Sequence, residues 1–290
     1  MSAGPAEPWL TWLYAPGDRP DTVAKALRSG ADVVLVDLED AVAPGRKEYA
    51  RRATAELLSA PQPVPVHVRV NPLSGAWGEA DVRALAGLPG LGGLRLPKVA
   101  SPQDVVAYAE LAALPREADG SSGAGHRVPP LWALLESALG VEHAYAVARA
   151  HPAVRGLALG EADLRADLGM REEAGLDWAR GRVVVACRAA GLDAPVQSVH
   201  PDVRDEAGLA ASCTRGRALG FLGRAAIHPR QLPVIERAYL PLPAEVAAAE
   251  EIVAAAAAEA GAQALPDGRF VDAAVVAAAR RTLALGARRG

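Results

Sequence analysis

Apolar runs of five to seven residues recur along the chain, separated by longer stretches in which apolar positions return every three or four residues. The runs are "TWLYA", "VVLVD", "VHVRV", "LGGLRL", "LWALLE", "VRGLALG", "PVQSV" and "FLGRAAI". Most lack the polar alternation of a half-exposed strand, as expected of parallel strands covered on both faces. Between them lie "RPDTVAKALRSG", "GRKEYARRATAELLSA", "SPQDVVAYAELAAL" and "SALGVEHAYAVARAH". Several of these open on a capping residue or proline and close at glycine or proline, the punctuation of helices. Strands alternating with helices imply βαβ units and a parallel sheet.

Eight strand candidates in roughly 230 residues suit a (β/α)8 TIM barrel, which takes about 250. The rival is an open doubly wound sheet, whose first strand often leads into a glycine-rich phosphate loop. Here that strand leads into "APGDRPD", which has neither GxGxxG nor GxxxxGK[ST], so the pattern favours a barrel over residues 1–240. Residues 241–290 follow the eighth strand, and a closed barrel has no place for them. They read as an alanine-rich helix and a second helix starting at Asp272, an arm expected to pack on a neighbouring subunit. The segment "PREADGSSGAGHRVPP" (115–130), rich in Gly, Ser and Pro, is expected to be a mobile surface loop.

Composition narrows the function classes. The chain has 290 residues, a net charge of -3, 51% hydrophobic and 22% charged residues, as a soluble globular protein does. Near-balanced charge argues against nucleic acid as the main partner and leaves room for a basic patch toward a phosphate-bearing ligand. Cys187 and Cys213 form no CxxC pair and read as structural thiols in a reducing compartment. The first residues lack the basic start and apolar core of a signal peptide. The longest apolar stretch, "EIVAAAAAEAGA", is too short and too interrupted to cross a bilayer. A cytoplasmic protein is expected.

In a barrel, ligands are handled at the carboxyl ends of the strands. There the chain places Asp37, Glu39 and Asp40 after strand two, Arg69 and Asn71 after strand three and Lys98 after strand four. Glu136 follows strand five, Gly160, Glu161 and Asp163 follow strand six, and His228 follows strand eight. Glu136 and Asp163 close neighbouring strands, and two carboxylates so placed make a hard oxygen site suited to Mg2+. Each is alternatively a cap or first-turn acid of the following helix. Arg69, flanked by valines, needs an anion: a substrate carboxylate, an internal pair with Asp37, Glu39 or Asp40, or both. Lys98 is either a solvated rim lysine or a functional one. His228 and His67 read as structural. The remaining histidines show no HxxxH or HExxH spacing, which disfavours zinc. Arg19, Lys25 and Arg28 read from spacing as a solvated helix face, with phosphate contact as the alternative.

Taken together, "LYAPGDRPDTVAKAL", "GADVVLVDLEDAV", "VRVN", "LPK", "LLESALGVEHA", "LALGEADLRADLG", "GFLGRAAIHPRQ" and "DGRFVDAAVVAAAR" resemble the citrate lyase beta-subunit-like branch of the HpcH/HpaI aldolase superfamily. The stretches run in the family's order along nearly the whole chain. The resemblance implies a (β/α)8 barrel, assembled as a homotrimer or hexamer, with Mg2+ held by Glu136 and Asp163. It implies that Arg69 binds a keto-acid carboxylate, that Asp37 and Asp40 orient it, and that backbone amides near Gly160, Glu161, Ala162 and Asp163 complete the carboxylate pocket. Arg19 and Lys25 match residues that bind CoA phosphates in malyl-CoA and citramalyl-CoA lyases. Asp272 matches an aspartate that reaches a neighbouring active site. The activity so implied is a Mg2+-dependent carbon–carbon lyase acting on an acyl-CoA thioester and releasing a small 2-keto acid. A malyl-CoA thioesterase, a citrate lyase-type subunit working on an acyl-carrier protein, and an aldolase of free hydroxy-keto acids are the alternatives.

Overall fold

The computed structural model describes residues 8–114, 127–258, 263–264 and 268–289. Most of the expected surface loop, residues 115–126 with His126, lies outside the described residues. Seven strands form one parallel sheet: β1 (Thr11–Pro16), β2 (Val33–Asp37), β3 (Val66–Arg69), β4 (Leu91–Leu96), β5 (Leu131–Leu135), β6 (Val154–Leu159) and β7 (Arg224–Ala226). Their order is β6-β5-β4-β3-β2-β1-β7, so the last strand returns to pair with the first. The sheet is thus α/β and parallel, as its unbroken apolar runs predict. All five residues of β2 are buried.

Helices follow the strands: α1 (Pro20–Ala26), α2 (Lys47–Leu58), α3 (Gly78–Leu85), α4 (Pro102–Ala113), α5 (Ala138–Glu142), α6 (Ala144–Ala148), α7 (Glu161–Leu168), α8 (Asp177–Ala189) and α9 (Glu206–Leu219). The caps follow the sequence. Ser101 and Asp104 form a capping box at α4, and Gly169 and Gly220 end α7 and α9 with left-handed backbone, a conformation glycine adopts without steric cost. "SALGVEHAYAVARAH" forms two short helices rather than one. His143 is the break, with a non-helical backbone and its Nδ1 2.8 Å from the Ala100 carbonyl.

One expected strand is reduced. "PVQSV" contributes two isolated parallel bridges, Val196 to Ala158 and Gln197 to Arg224. Pro195 opens this run without an N–H to donate, and its carbonyl accepts from Leu222 instead. Trp12, Val33, Leu35, Val196 and Ala225 form a buried cluster, against which Trp9, Tyr14 and Trp132 pack. Gly93 on β4 and Gly156 on β6 make room for the Trp132 ring, which a Cβ at either position would meet at 2.3 and 2.6 Å.

The chain divides into a larger unit, Trp9–Ile235, and a smaller one built on Glu236–Gly290. After α10 (Leu232–Tyr239), the smaller unit pairs α11 (Pro243–Ala258) with α12 (Ala273–Gly286) and carries a hairpin of β8 (Gln263–Ala264) and β9 (Phe270–Val271). No helix among the described residues is long and apolar enough to cross a membrane.

Candidate active site at the carboxyl ends of the strands

The acidic loop after β2 is held from beneath. Lys47, buried at the start of α2, donates through Nζ to the carbonyls of Leu38 at 2.8 Å and Glu39 at 2.6 Å, and to Asn71 Oδ1 at 2.8 Å. Asn71 in turn donates to Asp81 Oδ2 at 2.7 Å. Asp37 shapes the loop itself, accepting from Glu39 N at 2.9 Å and Ala41 N at 3.1 Å. These bonds satisfy buried polar groups that would otherwise be costly and fix where the three carboxylates point.

They point at Arg69. Its Nε and Nη2 donate to Asp37 at 2.8 and 2.6 Å, a bidentate fork. Its Nη1 lies 2.9 Å from Glu39 and 3.3 Å from Asp40. Burial alone would lower the Arg69 pKa, but the hydrogen bonds and charge of Asp37, with Tyr14 and Glu39, raise it. The internal pairing considered for Arg69 is therefore present with all three acids at once.

Glu136 and Asp163 come together around one cation. Lys98 Nζ lies 3.4 Å from Glu136 Oε2, 3.2 Å from Asp163 Oδ1 and 3.8 Å from Glu39 Oε1. Among the described non-glycine residues Lys98 alone has positive φ, 53°, a backbone conformation uncommon outside glycine and typical of functional sites. That turn aims its amide at Glu136 Oε2, 3.0 Å away. Burial would lower the Lys98 pKa, yet the charges of Glu136 and Glu39 and the hydrogen bond to Asp163 raise it. Glu136 is not the cap of α5, since Ser137 caps it by accepting from Gly140 N. Asp163 does sit in the first turn of α7. Glu136 is raised above the usual carboxylate range chiefly by burial.

Gly160 is fitted against Glu136: a Cβ there would lie 2.5 Å from Glu136 Cγ and 2.7 Å from Oε1. Gly160→Ala should push the carboxylate out of line and weaken Mg2+ binding by roughly 10-fold, the low end of losses for residues that orient metal ligands. Titration calorimetry with MgCl2 checks this, and an unchanged affinity would refute it. The Gly160 amide is already taken by the Leu135 carbonyl at 3.0 Å. The free first-turn donors of α7 are thus those of Glu161, Ala162 and Asp163. The Glu161 side chain is held away by Arg180, at 2.8 and 2.7 Å.

A cavity of about 420 Å3 opens among these groups, lined by Tyr14, Asp37, Asp40, Arg69, Arg95, Glu136, Gly160, Glu161, Ala162 and Asp163. Larger cavities lie elsewhere, one against Arg127 and His151 and one between α7 and α9. Neither gathers the strand-end acids. Arg19 and Lys25 are exposed after β1 and do not line the 420 Å3 cavity. Asp272, in the smaller unit, caps α12 by accepting from Val275 N at 2.9 Å. His228 accepts from Arg230 N. His67 is wholly buried and held well below its ordinary pKa, first by burial and then by Arg95. His228 thus caps the short turn that begins at Pro229, and His67 lies in the core.

Glu39 was read from the sequence only as one of three acids that could pair with Arg69, and Arg95 was not singled out at all. Glu39 is 3% exposed, and its pKa is pushed up to about 7 by burial, against the pull of Arg69. Arg95, on β4, is 1% exposed. Its signal was the one that marked Arg69, an arginine between apolar strand residues.

Among the described residues no three His, Cys, Asp or Glu side chains form a ready metal-ligand group. The seat between Glu136 and Asp163 nonetheless fits magnesium, which usually takes one or two carboxylates and leaves the remaining positions to water and substrate oxygens. The ammonium group held there shows that the site stabilises a cation.

The profile of the HpcH/HpaI aldolase/citrate lyase family matches residues 10–229, and the chain belongs to that family. A (3S)-malyl-CoA thioesterase of Cereibacter sphaeroides is 37% identical over 290 aligned residues, covering 96% of this chain and 95% of the relative. An L-malyl-CoA/beta-methylmalyl-CoA lyase of Rhodobacter capsulatus is 33% identical, covering 90% and 89%. Among solved structures, the protein CitE from Mycobacterium tuberculosis in complex with magnesium, acetoacetate and coenzyme A superposes with a TM-score of 0.78 at 32% identity, covering 97% of this chain and 98% of the other.

Proposed function

We propose that the protein is a Mg2+-dependent carbon–carbon lyase that cleaves or forms a β-hydroxyacyl-CoA, such as malyl-CoA or citramalyl-CoA, giving acetyl-CoA and a 2-keto acid. The observation that carries this reading is that the strand-end carboxylates Glu136 and Asp163 converge on the Lys98 ammonium and line one cavity with Arg69. The malyl-CoA lyase among the relatives and the magnesium, acetoacetate and coenzyme A held by CitE support it.

Glu136 and Asp163 are the residues that would hold the ion. When bound, the ion supplies Lewis acidity, lowering the pKa of a coordinated hydroxyl and polarising a developing carbonyl. The chain's own groups do the rest. Arg69 and the first-turn amides of α7 orient the carboxylate, Asp37 and Asp40 hold Arg69, and Glu39 is poised to exchange a proton near pH 7. Arg19 and Lys25 meet the CoA phosphates. Asp272 exchanges the proton at the acyl α-carbon, reaching the site of a neighbouring subunit in a homotrimer or hexamer. Asp272→Asn should lower kcat about 10²-fold with Mg2+ affinity unchanged, and full turnover would discard that role.

The finer fold reading is a closed (β/α)8 barrel over residues 1–240, with 241–290 as an intersubunit arm. Support for closure comes from Val196, which bridges β6 and packs with Trp12, Val33 and Leu35. A cytoplasmic setting suits the two buried free thiols.

A thioesterase is the second reading, favoured by the 37% identity to the malyl-CoA thioesterase. Malyl-CoA incubated with the protein and MgCl2 separates the two. Glyoxylate with acetyl-CoA marks the lyase, whereas malate with free CoA marks the thioesterase. Turnover of free CoA thioesters excludes a subunit restricted to an acyl-carrier protein. No turnover with any of them would overturn the proposal.

A further inference from the structure

A substrate carboxylate drawn to Arg69 enters a crowded neighbourhood. Asp37 takes Nε and Nη2 of that guanidinium, and Nη1 faces Glu39 and Asp40. Three anions already share one cation, which leaves it few donors for a fourth. Lys98 is committed in the same way, to Glu136, Asp163 and Glu39. Arg95 also borders the cavity, but it is 1% exposed. Its Nε and Nη2 are buried without an acceptor and present no open edge to a ligand. The carboxylate therefore needs a donor that no protein acceptor holds.

Two side-chain hydroxyls on the cavity wall, those of Tyr14 and Ser198, make no hydrogen bond to the described residues. Tyr14 is the one beside Arg69, its ring centroid 5.4 Å from the Arg69 Cζ. The strand register explains the contact. Tyr14 stands two residues before Pro16, the register partner of Asp37, and Asp37 pairs in turn with Arg69. Residues two apart on a strand share a face, so the phenol rises from one pleat below that row. It packs on the buried cluster of Trp12, Val33 and Leu35, yet the residue is only half-buried, and its open part faces the cavity. The charges acting on it are those of Arg69 first, then Arg95, Asp37 and Glu136. Burial outweighs the two arginines and raises its pKa above the ordinary phenol range, so the group is a neutral O–H donor near pH 7.

We propose that Tyr14 is a substrate-binding residue whose hydroxyl donates a hydrogen bond to the keto-acid carboxylate beside Arg69. It adds a donor without adding charge. It thereby completes a carboxylate seat for which Arg69, taken up by its own acids, and the first-turn amides of α7 do not suffice. This deepens the lyase reading and rests on it for the identity of the ligand. Tyr14→Phe isolates the donor: the ring keeps its packing on Arg69 and Trp12, and no hydrogen bond within the described residues is lost.

Calorimetry in MgCl2 tests this with glyoxylate, pyruvate and, separately, acetyl-CoA as ligands. Tyr14→Phe should weaken whichever keto acid wild type binds more tightly by about 10-fold or more, as expected for losing a hydrogen bond to a charged group. Acetyl-CoA binding and the urea midpoint should stay as in wild type. A hydroxyl that only supported the fold would lower the midpoint and leave keto-acid binding alone. Keto-acid binding unchanged in Tyr14→Phe, an equal loss for acetyl-CoA, or wild type binding neither acid overturns the proposal. Failure of the lyase reading looks different: keto-acid binding would depend on Tyr14, yet malyl-CoA and citramalyl-CoA would remain uncleaved.

Discussion

Glu136→Gln combined with Asp163→Asn is expected to bring carbon–carbon cleavage down by roughly 10⁴-fold, the loss of several kcal/mol of Lewis-acid stabilisation. Both substitutions keep shape and leave an oxygen, so folding should survive. In the single Glu136→Gln variant, the bond from Lys98 N to the side-chain oxygen is preserved. The direction of the pKa shift adds a second expectation. Burial raises Glu136 above its unfolded value of 4.5. A carboxyl raised on folding contributes stability at low pH and loses it as pH rises beyond the unfolded value. Neutral Gln carries no such loss, so the metal-free Glu136→Gln protein should be at least as stable as wild type at pH 8. Urea unfolding in EDTA reads the stability, and calorimetry reads the lost Mg2+ affinity. A variant that still binds Mg2+ like wild type would remove these two residues from the metal site.

The strands, their parallel order and the rim that gathers the charges were legible because burial on both faces leaves an unbroken apolar run, and the residue that ends the run stands where ligands bind. Asp37, Arg69, Lys98 and Glu136 were all found in this way. What the sequence did not carry is depth. "DLED" reads as three equivalent acids, yet Asp37 and Glu39 are buried and Asp40 is exposed. The difference comes from the grip of Lys47 on the Leu38 and Glu39 carbonyls, made from a helix that begins eight residues after Glu39. Lys98 likewise looks like a rim lysine until its left-handed backbone is seen. Arg95 was passed over for a related reason. Its strand, "LGGLRL", signals a core element, and the strand's polarity alone cannot tell a paired arginine from an unpaired one. The seventh run was read as a full strand because composition marks a strand better than hydrogen bonding does, and Pro195 removes a donor that the ladder needs.

Arg69→Met is expected to cost about 3–5 kcal/mol of stability at pH 8, the range for removing one partner from a buried ion pair. The reason is the company it leaves behind. Asp37 and Glu39 are 1% and 3% exposed, and without Arg69 both remain as buried anions facing each other and Glu136. The cost should depend on pH. Glu39 already sits near 7, above its unfolded value of 4.5, with Arg69 among the charges that hold it down. Removing Arg69 moves it higher still. Its contribution to stability is complete below pH 4.5 and declines as pH climbs through 7. The variant should therefore lie closer to wild type at pH 5 than at pH 8, where the acids are forced to ionise. Urea unfolding of both proteins at the two pH values measures this, and an equal deficit at both would show that Arg69 contributes by packing rather than by charge. Activity should fall as well, since the acidic loop would lose the group that orders it. Adding Glu39→Gln to Arg69→Met should then restore part of the stability at pH 8 and none of the activity, separating the two roles of one guanidinium.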